Sequence, residues 1–417
     1  MSQLIICGGK QLKGEIAVYG AKNHALKMLA ASLLTQEPVE LFNMPFVEDV
    51  VRMMEIMKDL GVSVQENDGT VKIQAQNLYT HELHKTLTPK VRASVLFVGP
   101  LLLRRGKAVL PYPGGCSLGR RPIDLLLKAF KALGADVHER EDEVKFSARK
   151  LKPATFVFPF VSHTTTEALM MTMALISGTS HIVNAAMEPE VVALAEFLNA
   201  CGAKIKGAGS PEIVIEGVAQ LRGGQAHIIP DRLEAGAFMA MAAATHSTIK
   251  ITHCNPAHLA VPLYMMRSMQ IDVETGPDWI EVKRAKEFRG VNITTHEYPG
   301  FPTDLQPPFT VALTQAKGMS MVHETIFEGR LFYVDKLNRM GANILLCDPH
   351  RVLVAGPKHL RGTRIESPDI RAGMAMVIAG LAAHGTTTIE NIYQIYRGYY
   401  KIDERLAKLG ADIKKIG

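Results

Sequence analysis

One phrase recurs along this chain and limits what it can fold into more than any other feature. "LGVSV" begins at Leu60, "LGADV" at Leu133, "CGAKI" at Cys201, "MGANI" at Met340 and "LGADI" at Leu409, with a degenerate copy, "SMQIDV", from Ser268. The copies lie about 70 residues apart, so six units account for the 417 residues. A glycine capping a helix ahead of a strand would explain two such phrases in any α/β protein. Six at near-constant spacing, each with the same flanks, point to a repeated subdomain larger than a solenoid unit.

Each phrase leads into a strand–turn–strand pattern, as in "VSVQENDGTVKIQA". Before it come a strand such as "GTSHIVN" or "GTTTIEN", a loop and an amphipathic helix. Earlier still in each unit lies a second kind of helix: "KNHALKMLAASLL", "RASVLFVGPLL", "TEALMMTMALIS", "RLEAGAFMAMAAA", "QPPFTVALTQA" and "IRAGMAMVIAGLAA". These are apolar nearly all round, which predicts full burial. The hairpins carry the charges and must face water. The expected fold is therefore α/β with helices inside and sheets outside, three repeats to each of two domains. The repeat divides near Pro230, where "HIIPDRLEAG" echoes "AVYGAKNHAL".

Composition narrows the function classes. Apolar residues at 47% and charged residues at 21% describe an ordinary globular chain. The runs "LMMTMALI" and "AGMAMVIAGLAA" fall short of the ~20 residues a membrane span needs, and no signal peptide is expected at the N-terminus. Five scattered cysteines without a CxxC pair predict a reducing cytoplasm and no disulfide frame. No histidine pair has HExxH spacing, so neither a metal nor a cofactor is expected. A net charge of +6 suits an acidic partner, and a mildly basic solvated surface explains it equally well. One Trp and no basic stripe interleaved with aromatics argue against nucleic acid, which leaves small anionic substrates.

Polar residues gather where helices should begin. Lys22 and Asn23 open the first apolar helix and Arg92 the second; Ser162, Thr164 and Thr165 precede the third. Asp231, Arg232 and Glu234 mark the fourth, Asp304 the fifth, Asp369 and Arg371 the sixth. The amphipathic helices add Asp49, Cys116 with Arg121, Glu188, Glu190, Arg330 and Arg397. Caps and salt bridges explain Asp231 or Glu234 alone. Cations at helix N-termini are opposed by the dipole, and an anionic ligand would resolve that conflict. In "PGGCSLGRRPIDL", Gly114 and Gly115 form a loop, Pro122 suits a first helical turn, and Arg121 places positive potential beside Cys116. Such a thiol can donate a proton or act as a nucleophile; an inert loop cysteine fits the spacing as well.

"GAKNHALKMLAASLL", "PGGCSLGRRPIDL", "AAMEPEVV", "GFPTDLQ", "ETIFEGR", "PDIRAG" and "RGY" resemble, in order and from end to end, the motifs of the UDP-N-acetylglucosamine enolpyruvyl transferase family within the EPSP synthase superfamily. GAKN and PGGC separate it from the sister 5-enolpyruvylshikimate-3-phosphate synthases. The resemblance implies a two-domain inside-out α/β barrel with a double crossover. It also implies that residues 1–20 join 230–417 while 21–229 form the other domain. It implies a reaction too: the enolpyruvyl group of phosphoenolpyruvate moves to the 3′-hydroxyl of the amino sugar and phosphate leaves, committing the sugar to peptidoglycan. Lys22, Arg121 and Arg397 would hold phosphoenolpyruvate, with Asn23, Arg330 and Arg371 nearby. Asp304 would accept the hydroxyl proton, Cys116 would protonate the methylene carbon or assist product release, and Asp369 would support the exchange. Asp49 would help to position the loops. The nucleotide sugar would contact Asn23, Arg92, Arg121, Pro122, Ile123, Asp124, Leu125, Ser162, His163, Thr164, Asp304 and Ile326. In the family, the epoxide fosfomycin alkylates the cysteine. A monomer is expected, with small molecules as its only partners.

Some positions depart from the family pattern. "SHTTT" stands for Ser-Val-Gly-Ala-Thr, Met187 for Arg, and Tyr396 for the Asp before Arg-Gly-Tyr. A different nucleotide acceptor, or a non-catalytic sugar-nucleotide binder, are the alternatives these changes raise. Cys116, Asp304 and Arg397 weigh against the second, since a binder needs neither acid nor base.

Overall fold

The computed structural model describes residues 2–112 and 123–417. By its internal contacts the chain divides into two compact units. One comprises the N-terminal residues through Tyr19 together with Pro230–Gly417, and the other lies between Gly20 and Ile229.

All six repeated phrases close a helix in the same way. Gly61, Gly134, Gly202, Gly341 and Gly410 have φ between 86° and 106°, and Gln270 takes the left-handed conformation in the degenerate copy at φ 66°. The N–H of Gly61 reaches the Lys58 carbonyl at 3.0 Å and that of Val62 reaches Met57 at 3.0 Å. The same pair of bonds recurs at Gly134/Ala135, Gly202/Ala203, Gln270/Ile271, Gly341/Ala342 and Gly410/Ala411. This is the Schellman closure, which satisfies the last carbonyls and turns the chain toward the next strand.

The apolar helices are Lys22–Ala31, Val98–Arg105, His163–Met173, Arg232–Ala244, Gln306–Thr314 and Ile370–Ala382, three in each unit. Nearly every residue of Arg232–Ala244 and Ile370–Ala382 is buried, glycines included. The sheets cover these helices with one face and turn the other to solvent, so the order is helices within and sheets without. The second repeat departs from the pattern. Its inner helix starts as a 3-10 segment, Arg92–Phe97, before Val98–Arg105. Pro100 cannot donate to the carbonyl of Leu96, so α-helical pairing cannot run through that point.

In five repeats a short lead strand precedes the inner helix, and in three of them it pairs in parallel with the strand that follows that helix, a βαβ unit. Thr155–Val157 pairs in this way with Gly178–Val183, Ile293–Thr294 with Gly318–His323, and Arg364–Glu366 with Thr386–Glu390. Two repeats exchange their lead strands. Lys13–Ala17 precedes helix Lys22–Ala31 but pairs with Thr248–Thr252, whereas Gly224–His227 precedes Arg232–Ala244 but pairs with Val39–Phe42. In the sixth repeat one strand of the sheet comes from the other end of the chain. Gln3–Cys7 supplies it, lying between Thr386–Glu390 and Asp412–Ile416. At the crossing, Asp231 N–H donates to the Tyr19 carbonyl at 2.9 Å and Ala21 N–H to that of Ile229 at 2.7 Å. Gly20 is required there, because a Cβ would lie 2.0 Å from the Asn43 carbonyl oxygen.

Candidate active site

The N-termini of two inner helices and one turn between Pro230 and Gly417 bring four of the expected residues together. Asp304 sits in the 3-10 turn Thr303–Leu305 that leads into Gln306–Thr314. Arg330 donates through Nη2 to its Oδ1 at 2.6 Å, and Arg371 donates through Nε to its Oδ2 at 2.9 Å. Asp369 caps helix Ile370–Ala382, its Oδ1 accepting from the N–H groups of Arg371 (2.8 Å) and Ala372 (3.0 Å). That oxygen also lies 3.9 Å from Arg330 Nη1. Burial pulls the Arg330 pKa down, but Asp304, Asp369 and Glu324 outweigh it and hold it above its usual value. Arg371 is likewise buried and held charged beside Tyr399, Asp304 and Asp231; its Nη1 donates to the Tyr399 hydroxyl at 3.1 Å. Asp304 is a quarter exposed, so one carboxylate lies between two buried cations and the solvent.

Two of these arginines do not sit where a helix begins. Arg330 lies in the turn before Val334–Arg339, and Arg397 is the C-cap of the short helix Tyr393–Tyr396. At a C-terminus the dipole favours the cation, so Arg397 needs no ligand to explain its place. It donates through Nη1 to Gln394 Oε1 at 2.9 Å. Two of the cations that open helices are met by carboxylates, Arg371 by Asp304 and Lys22 by Asp49. At these two positions the chain's own carboxylate answers the dipole conflict for which an anionic ligand was expected.

Within the unit between Gly20 and Ile229, Lys22 is the first residue of its helix, and its Nζ lies 3.0 Å from Asp49 Oδ2 with both side chains buried. Asn23 and Arg92 are partly exposed. Ser162 caps helix His163–Met173, accepting from Thr165 N–H at 3.4 Å. His163 and Thr164 form its first turn; His163 Nδ1 lies 3.7 Å from Glu167 Oε2, which also faces Lys27 Nζ at 3.3 Å. Ile123 is buried, Leu125 half-buried and Asp124 exposed at the start of Asp124–Ala132. Cys116, Arg121 and Pro122 lie outside the described residues. Tyr396 turns its hydroxyl to Asp403 Oδ1 at 2.6 Å and stacks its ring under Lys415.

Three further residues belong to this neighbourhood and were not anticipated as site residues: Thr303, Glu324 and Tyr399. Glu324 stands first in "ETIFEGR" and Tyr399 third in "RGY", so the signal was present as an acid and a phenol inside recognised motifs. Burial pushes the Glu324 carboxyl above its usual range, against the pull of Arg330 and of the hydrogen bonds from Ile326, Thr303 and Phe327. Among the described residues, no group of His, Cys, Asp and Glu is arranged to hold a metal ion, and no helix is long and apolar enough to cross a membrane.

A family model described as EPSP synthase (3-phosphoshikimate 1-carboxyvinyltransferase) matches residues 6–406. The UDP-N-acetylglucosamine 1-carboxyvinyltransferase 1 of Carboxydothermus hydrogenoformans is 45% identical over 416 residues, covering 100% of this chain and 99% of that protein. The chain belongs to the UDP-N-acetylglucosamine 1-carboxyvinyltransferase family. A second relative of that name, from Gloeobacter violaceus, is 44% identical over 99% of this chain and 90% of its own length. The crystal structure of the enolpyruvyl transferase NikO from Streptomyces tendae superimposes with a TM-score of 0.91 at 24% identity, covering 99% of this chain and 98% of that one. EPSP synthase from Acinetobacter baumannii gives 0.76 at 20% identity, with 100% of both chains covered. At such identities these two structures speak for the fold, and the family's inside-out α/β architecture is the one found here.

Proposed function

We propose that this protein transfers the enolpyruvyl group of phosphoenolpyruvate to the 3′-hydroxyl of UDP-N-acetylglucosamine and releases phosphate, committing the sugar to peptidoglycan. The observation that carries the reading is Asp304 held between buried Arg330 and Arg371: a carboxylate placed to take a proton beside cations suited to an anionic substrate. The acceptor oxygen bonds to C2 of phosphoenolpyruvate as its proton passes to Asp304, while C3 takes a proton from Cys116. Loss of a C3 proton and of phosphate from C2 then leaves the enolpyruvyl ether. Lys22, Arg121 and Arg397 bind phosphate and carboxylate, with Asn23 and Arg371 beside them, and Asp369 keeps Arg330 and Arg371 in place. Arg92, Ile123 to Leu125, Ser162 to Thr164 and Ile326 receive the nucleotide sugar.

A second reading keeps the chemistry and changes the acceptor's nucleotide. It is favoured by His163, whose imidazole stands partly exposed beside buried Glu167 where the family has valine. Phosphate release separates the two. Turnover only with phosphoenolpyruvate and UDP-N-acetylglucosamine together, abolished by Asp304→Asn, supports the first. Equal or faster turnover with uridine monophosphate supports the second.

A further inference from the structure

We propose that Glu324 is a positioning residue that fixes the base Asp304 relative to the turn carrying Ile326. The inference rests on the reaction proposed above, in which the one takes the acceptor's proton and the other receives the acceptor.

The repeat supplies an internal control. Each post-helix strand ends in a residue whose place is set by the common fold: Asn43, Asn184 and Asn391 in three repeats, all with φ between 53° and 58°. Their side-chain amides donate to a carbonyl just beyond the neighbouring lead strand, Asn43 to Ile228 (2.9 Å), Asn184 to Phe158 (3.0 Å) and Asn391 to Ser367 (3.0 Å). "GTSHIVN" and "GMSMVHE" align strand for strand, so Glu324 follows its strand as Asn184 does, without the left-handed φ of the asparagines. In the fifth repeat that structural task passes to Thr325 and Thr295. Thr325 N–H donates to Thr295 Oγ1 at 2.8 Å, and Thr325 Oγ1 donates to the Thr295 carbonyl at 2.6 Å. The fold therefore does not need a carboxylate here.

What the carboxylate does is local to the site. Glu324 is fully buried. Its Oε1 accepts from the N–H groups of Ile326 (2.9 Å) and Phe327 (3.2 Å), which closes the turn that follows. The Thr303 hydroxyl lies 2.9 Å from both of its oxygens, and Thr303 immediately precedes Asp304. Three donors converge on two oxygens, and a carboxylate can accept all of them. Glu324 also opposes the charge of Arg330, the residue that donates to Asp304 Oδ1. Glu324 thus acts on Asp304 by two routes, through the chain at Thr303 and through Arg330. It fixes how far the base stands from the Ile326 turn.

The test is steady-state phosphate release by the full-length parent and by Glu324→Ala, Glu324→Gln and Thr303→Val, with each substrate varied separately. An acid–base group displaced by about an ångström costs about 100-fold in rate. Glu324→Ala is expected to lose about that factor in kcat, with KM for phosphoenolpyruvate changed less than about 3-fold. Glu324→Gln is expected to recover most of the loss, because its amide oxygen still takes the two N–H groups and its NH2 can donate to Thr303. Thr303→Val should impair kcat in the same direction, and the Thr303→Val/Glu324→Gln double variant should be non-additive. Asn184→Ala, at the equivalent strand end, should lower the unfolding midpoint and leave kcat within about 3-fold. Rates are normalised to the folded fraction at the assay temperature. Equal kcat for parent and Glu324→Ala, equal impairment of Ala and Gln variants, or a loss wholly accounted for by unfolded protein would each overturn the inference while leaving the reaction intact. A parent that releases no phosphate overturns the reaction and this inference with it.

Discussion

His24 shows how a single residue ties acidity to the crossing of the chain. It lies within the first inner helix, and its Nδ1 accepts the N–H of Ile229 at 3.2 Å, a bond open only to the neutral ring. Burial, opposed by Glu190 and aided by Lys27, lowers its pKa from 6.5 to about 4. The unfolded chain binds this proton below pH 6.5 and the folded chain does not until about pH 4, so stability is complete above 6.5 and lost as pH falls toward 4. The shift corresponds to about 3 kcal/mol at most. Thermal unfolding between pH 7.5 and 5 should show a falling midpoint in the parent and a flatter profile in His24→Gln; parallel profiles would refute the assignment. Cys116 makes the second argument at this level. If it serves as an acid, Cys116→Asp should keep substantial turnover and Cys116→Ser should lose nearly all, because a hydroxyl proton is held too tightly. Fosfomycin should add mass to the peptide containing Cys116 in the parent and leave the Asp variant unmodified. Buried Cys201 and Cys254, whose thiols are pushed up to about 11, should not react. Modification of either, or a fully active Ser variant, would count against the role.

Helices and strands are joined here by one repeated device, the left-handed residue after each outer helix. Gly134 has φ +86° and open space around the position a Cβ would take, so an alanine there would meet conformational strain alone. Gly134→Ala should destabilise by about 1 kcal/mol. Gln270 holds the same conformation at φ 66° without glycine's freedom, so Gln270→Gly should be neutral or stabilising by up to about 1 kcal/mol. Denaturant midpoints with unchanged slopes would measure both. A stabilised Gly134→Ala or a destabilised Gln270→Gly would show that packing around the turn outweighs backbone conformation.

For the molecule as a whole, the exchanged strands decide what can fold alone. Strand Gln3–Cys7 completes one sheet and Lys13–Ala17 another, and Leu4, Ile6 and Ile16 are buried in the core they share with residues beyond Pro230. Arg405 fastens the same segment. Its Nη2 donates to the Ala17 carbonyl while both guanidinium nitrogens hold Glu234, which accepts from Tyr19 N–H at 3.0 Å. Residues 230–417 alone should therefore lack cooperative unfolding, and a peptide of residues 1–19 added in trans should restore it. A fragment 230–417 with the same sharp unfolding transition, peptide or no peptide, would show that the two strands are dispensable.

Periodicity and cap chemistry are local properties, and they were legible along the chain. The six glycine phrases, the all-apolar helices and the charged hairpins imply helices within and sheets without, because burial follows from side-chain patterning alone. Which residues would be needed could be read from motifs, since Asp304, Arg330, Asp369 and Arg371 lie in quotable stretches. Who pairs with whom could not. Asp304 is 67 residues from Arg371, and only the convergence of two inner helices brings their side chains to 2.9 Å. Arg397 occupies a helix C-terminus because the segment is a four-residue helix, a length no periodicity can report. Glu324 was hidden by its own repeat: the position belongs to a structural asparagine elsewhere, and its three donors come from two separate stretches of chain. The exchange of lead strands leaves no mark in either half, because a strand's pattern records that it will be paired and not by which partner. Sequence determined the units and their chemistry here; long-range pairing determined the clamp on Asp304 and the crossing.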